Sequence, residues 1–197
     1  MNNNIMKNFK NTEIKISGYE EDITVKIINI EADNYLQLIC ITTHIYIDND
    51  TKNYIVKAFN IPLLEFLGYN DIEDIFNNTE IVNNFMTRFI ETIQSHNDAL
   101  PVSAMKEHFL LKLQDFCKNK NISYPNVRFE YSDILNGMNI KINFGDKYFV
   151  ISIKFDGNNI IVSDADTENT IGIYKSFNEA YNMLTNYLSF IDIFVNK

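Results

Sequence analysis

Carboxylates are the chemistry this sequence offers in quantity, and they come in clusters. Glu20, Glu21 and Asp22 are contiguous, Glu31 and Asp33 stand two apart, Asp48 and Asp50 flank one Asn, and Asp71, Glu73 and Asp74 crowd four positions. Closely spaced carboxylates can ligate a cation, share a proton in acid–base catalysis, or present charge to a basic partner. Spacing tests the first use. A helix–loop–helix calcium site takes Gly at its sixth position and a bidentate Glu at its twelfth. The loop opening at Asp48 has Asn53 and Phe59 there, and the loop opening at Asp164 has Asn169 and Lys175. Both lack the ligand that closes the shell, so both read as polar hairpin turns.

Other site chemistries are poorly served. His44, His96 and His108 are far apart, and no H-x-x-x-H or C-x-x-C occurs, so no metal site is expected. Cys40 sits in an apolar run and Cys117 in a helical stripe, and both read as buried thiols rather than nucleophiles. There is no G-x-S-x-G, and no two glycines are placed to cradle a phosphate. No cofactor is expected. The expectation is a protein that is not an enzyme. A hydrolase built from an unmarked carboxylate pair is the residual enzymatic alternative.

The charge is unevenly shared. Residues 1–98 carry 15 acids and 7 bases, whereas residues 99–197 carry 11 acids and 10 bases, within a net of -9. That balance disfavours direct binding to a nucleic-acid backbone. An aromatic-rich stretch from Tyr124 to Phe155 lacks the surplus of basic residues that a base-stacking platform needs, so its rings are assigned to a core. The acids lie at turns, and turns at one end of a meander are neighbours in space. Glu20, Glu21, Asp22, Asp48, Asp50, Asp71, Glu73 and Asp74 are therefore the candidate partner-binding residues.

The elements that must position these acids follow from periodicity. Ile14 and Ile16, then Ile23, Val25 and Ile27, alternate as a hairpin. Tyr35 to Ile47 and Tyr54 to Phe59 continue it as two further strands around a polar turn at 48–53. Pro62 to Gly68 predicts a short helix, and Asn70 with Glu73 a capping-box start of another. Ile81, Val82, Phe85, Met86, Phe89, Ile90 and Ile93 form a helical stripe over 79–95. Residues 96–101 break it. Ser103 is the expected cap of the next helix, with Met105, Phe109, Leu113, Phe116 and Cys117 on its apolar face.

Five strands are expected near 126–131, 138–144, 147–155, 158–163 and 170–174, with turns at Gly145-Asp146 and Gly157-Asn158. Ser176 and Glu179 make a capping box for a last helix carrying Ala180, Tyr181, Leu184, Tyr187 and Leu188. An apolar end, Ile191 to Val195, must dock on the body or on a partner. Each half is thus a strand meander followed by helix: an α+β fold of two antiparallel β-meanders packed against helices. The halves are expected as an acidic unit over 1–98 and a second over 99–197, or as one continuous domain. A faint echo between residues 48–55 and 164–171 is the sort of match that turn chemistry produces in an Asn-rich chain.

Twenty-nine Asn and 30 Ile against 2 Arg, 6 Ala and no Trp reflect AT-rich codons, as in a low-GC bacterium, its phage or another mobile element. No apolar run reaches 18 residues and no secretory leader opens the chain, so a cytoplasmic protein of a bacterial host is expected, with no membrane partner. These features together predict a non-enzymatic inhibitor or immunity-type, anti-defence protein. Its carboxylates would occupy a basic, nucleic-acid-binding groove on a protein partner. The alternative is a structural or assembly protein, a virion accessory or homo-oligomer, joined through apolar surface and strand edges.

Overall fold

The computed structural model describes residues 8–17, 19, 21–33, 35–62, 78–95, 99–120, 127–132, 136–144, 147–157 and 159–195. The short helices expected between Pro62 and Asp74, residues 96–98 of the break expected over 96–101 and the turn at Gly145-Asp146 lie outside them, whereas residues 99–101 are helical and do not belong to a break. The protein is α+β, with two antiparallel sheets and three helices among the described residues.

The first sheet is a four-stranded meander: β1 (Glu13–Ile16), β2 (Ile23–Asp33), β3 (Leu38–Ile47) and β4 (Ile55–Pro62), paired in that order. Alternation puts Ile14, Ile23, Val25, Ile27, Ile39, Ile41, Ile45, Ile47 and Ile55 on one face, each 2% exposed or less. The alternation changes phase once. Ile27 pairs with Thr43 and Asn29 with Thr42, so Ile28 is the extra residue of a bulge. Beyond it Ile30 meets Ile41 on the inner face, while Glu31 and Asp33 turn to the outer face opposite Cys40 and Leu38. Two adjacent isoleucines in an alternating strand are the sequence mark of that switch, and simple alternation overlooks it.

Helix α1 (Thr79–Ser95) covers this core with Val82, Phe85, Met86, Phe89 and Ile93. Its start is capped by Asn78, whose Oδ1 accepts from the amides of Glu80 at 3.0 Å and Ile81 at 3.3 Å. Phe59 of β4 meets Phe89 edge to face, with ring centroids 5.4 Å apart. Helix α2 (Ala99–Asn119) begins four residues before Ser103. Ser103 therefore lies inside the helix and does not cap it. Pro101 falls in the first turn, where the amide it lacks has no intrahelical partner. The chain forms two compact units, 1–108 and 109–197, and the division falls within α2 between His108 and Phe109.

The second unit holds a five-stranded meander: β5 (Val127–Ser132), β6 (Gly137–Phe144), β7 (Lys147–Asp156), β8 (Asn159–Asp164) and β9 (Thr170–Tyr174). Gly157 turns between β7 and β8 with φ 57°, a left-handed conformation that Gly adopts without a Cβ clash. One face of the sheet, carrying Met138, Ile140, Ile151, Ile153, Phe155 and Val162, packs with Phe109, Leu113 and Cys117 and with helix α3 (Phe177–Val195) through Ala180, Leu184 and Leu188. Ser176 caps α3, its Oγ accepting from the amides of Asn178 at 3.2 Å and Glu179 at 3.4 Å.

The two echoing segments form different turns. Asp48 and Asn49 are both left-handed, at φ 51° and 57°, and the amide of Asp50 donates to the carbonyl of Ile47 at 2.9 Å. This is the type I′ geometry that Asn and Asp tolerate. In the later segment it is the first acid, Asp164, whose side chain accepts from the amides of Asp166 and Thr167. In the earlier segment the second acid, Asp50, plays that part.

Candidate functional site: the hairpin end of the first sheet

A meander sends alternate turns to opposite ends. The β1–β2 and β3–β4 connections therefore share one end of the first sheet. Two hydrogen bonds tie them there. The amide of Asp22 donates to Asp48 Oδ1 at 3.1 Å, and the amide of Asp48 donates to the carbonyl of Asp22 at 2.8 Å. Both residues are exposed, so two acidic residues from distant sequence are neighbours on the surface, and the Asp48 carboxylate accepts from the Asp22 amide.

Asp50 belongs to the same end but is spent internally. Its Oδ1 accepts from the amides of Lys52 at 2.9 Å and Asn53 at 3.2 Å, which shapes the loop into β4. Its Oδ2 takes the Asn53 side-chain amide at 3.0 Å and lies 3.0 Å from His108 Nε2 on α2. An ionised carboxylate only accepts, so Nε2 carries the proton of that contact. Partial burial raises the Asp50 pKa. The donors from Asn53, His108 and the Lys52 and Asn53 backbone outweigh it and hold the carboxyl well below the usual range. Glu21 is 7% exposed and belongs to the interior rather than to the surface.

Of the eight candidate residues, Asp22 and Asp48 are thus brought together on the surface, Asp50 adjoins them as a structural anchor, and Glu21 is buried. Glu20, Asp71, Glu73 and Asp74 lie outside the described residues. Glu31 and Asp33, the remaining cluster of this half, sit at the opposite end of the sheet. Leu38–Ile47 separates the two ends by about 30 Å at the usual rise per strand residue. There they border a cavity of about 490 Å³ with Leu36, Leu38, Cys40 and Asn60. Asp33 caps the β2–β3 turn through the amides of Tyr35 and Leu36, both at 2.9 Å. The cysteines also part company: Cys117 is buried, with its thiol pushed up to about 11 by that burial, whereas Cys40 is half-buried on the outer face.

Sequence reasoning missed an aromatic cluster beside this pair of acidic residues. His44 stacks on Tyr54 with centroids 4.2 Å apart, and Tyr46 leans on Tyr54 at 5.9 Å. The three lie on the outer face of the sheet, next to Val56, which is 57% exposed. The signal was present in the alternation of β3, which assigns His44 and Tyr46 to the face opposite Ile45 and Ile47. Tyrosines with an apolar body and a polar tip suit a protein contact surface. Among the described residues no group of three His, Cys, Asp or Glu side chains is placed to hold a metal ion. Nor is any helix of the described residues long and apolar enough to cross a membrane.

The fold and this surface define an α+β protein with a carboxylate-and-tyrosine face at one end of its first sheet. Comparison with protein-family models, with curated proteins and with solved structures finds no match.

Proposed function

We propose that the chain is a non-enzymatic acidic inhibitor or immunity-type protein of a phage or other mobile element, acting on a nucleic-acid-handling or defence enzyme. The observation that carries the reading is the hydrogen-bonded pairing of exposed Asp22 and Asp48 at one end of the first sheet. Two exposed acidic residues on neighbouring backbone positions present negative charge to the Arg and Lys of a basic groove. Tyr46, Tyr54 and Val56 beside them supply apolar area, and the excess of acids in residues 1–98 supplies long-range attraction.

The test is capture of a host partner by the immobilised protein, compared with a variant carrying Asp22→Asn and Asp48→Asn. Asn keeps the Oδ1 acceptor and tolerates the left-handed backbone at 48, so the turn survives while two charges go. The expected partner is released by salt, is displaced by added duplex DNA, and binds the variant at least about tenfold more weakly. A partner indifferent to salt, to DNA and to both substitutions sinks the proposal.

A further inference from the structure

Among the described residues the two sheets end on four strands, which differ in how they are protected. Edge strands commonly carry charge or Pro, which discourages pairing with another chain. Strand β1 has Glu13 and Lys15, β4 has Lys57 and Pro62, and β5 has Arg128 and Glu130. Strand β9, Thr-Ile-Gly-Ile-Tyr, has no charge and no Pro. Among the described residues it is hydrogen-bonded to β8 alone, and its outer side chains are bare: Ile171 is 43% exposed and Ile173 63%. One irregularity interrupts this edge: Val162 pairs with Gly172 and Ser163 with Thr170, so Ile171 is the extra residue of a bulge at the strand's entry, and Gly172 to Tyr174 pair regularly with β8.

We infer that β9 is a self-association edge, pairing antiparallel with β9 of a second copy about Gly172. The occupant follows from the strand's own ends. Glu168 precedes it and Lys175 follows it, both exposed. Antiparallel pairing about Gly172 sets Ile171 of each copy opposite Ile173 of the other, and brings the Glu168 end of each strand to the Lys175 end of the other. A parallel arrangement would place like charges together. The two five-stranded sheets then become one ten-stranded sheet, and four isoleucines share one apolar surface. The edge is only five residues long, so the association belongs to the weak class, with a dissociation constant on the order of micromolar. The inference does not depend on the carboxylate reading.

Sedimentation velocity on the full chain, from about 1 to 200 µM, tests it. The wild-type protein should pass from monomer to dimer, and Ile173→Lys should weaken the dimer at least about tenfold while leaving the circular dichroism unchanged. The Asp22→Asn/Asp48→Asn variant should dimerise like the wild type. Register is read by oxidising, in a Cys40→Ser background, copies carrying Ile171→Cys mixed with copies carrying Ile173→Cys. Cross-linked dimer should form in the mixture and not in either population alone. A wild-type chain that stays monomeric throughout overturns the inference. So does a dimer that Ile173→Lys leaves intact, or cross-linking without preference for the mixture.

Discussion

At Asp50 burial works against ionisation, and four donors reverse the outcome. The linkage has a definite sign. A carboxyl whose pKa is lower folded than unfolded holds its proton more tightly in the unfolded chain. Its stabilisation is therefore complete above the ordinary value of 3.8 and drains away as pH falls from there toward the depressed folded value. Replacing it by Ala removes the acceptor of the buried His108 Nε2 and of the β4 loop amides, and is expected to cost about 2 kcal/mol at neutral pH. Urea unfolding of wild type and Asp50→Ala checks this. The gap between them should narrow as pH falls below about 4, where the unfolded carboxyl takes up its proton. A gap that does not narrow below about pH 4 contradicts the assignment. Asp50 also shows why a sequence reading misplaces a residue: its spacing with Asp48 marked it as a contact group, but the helix that consumes it lies 58 positions away.

Elements were the most readable level, because local chemistry and burial agree. The stripe over 79–95, the alternation of Ile39 to Ile47 and the Ser176 cap are all visible in the residues and all appear in the structure. Ser176→Ala should cost about 1 kcal/mol, from loss of the acceptor for the first free amides of α3. Thermal unfolding of the variant checks it, and an unchanged midpoint would mean that water replaces the hydroxyl at no cost. Boundaries were less readable. Ser103 has cap chemistry, yet α2 starts at Ala99, because a Pro in the first turn costs a helix nothing. The bulge at Ile28 was equally invisible to simple alternation, although it decides which face Glu31 and Asp33 occupy.

For the molecule as a whole, net charge governs colloidal behaviour whatever the fold. Solubility should pass through its minimum near the isoelectric point of about 4.8, and static light scattering across pH 4 to 8 checks it. A minimum well away from that value would mean that exposed apolar surface, such as the β9 edge, dominates association. Fold class, strand order within each meander and the acidity of the first half follow from the sequence alone, since periodicity, turn residues and charge counts are local properties of the chain. Which acidic residues become neighbours is of another kind. Asp22 and Asp48 are 26 positions apart and meet because alternate turns of a meander return to the same end. Glu31 and Asp33, nearer to Asp22 in sequence, are carried to the far end by a single strand length. Distance along the chain does not rank distance in space, so only the tertiary structure decided the make-up of the charged surface.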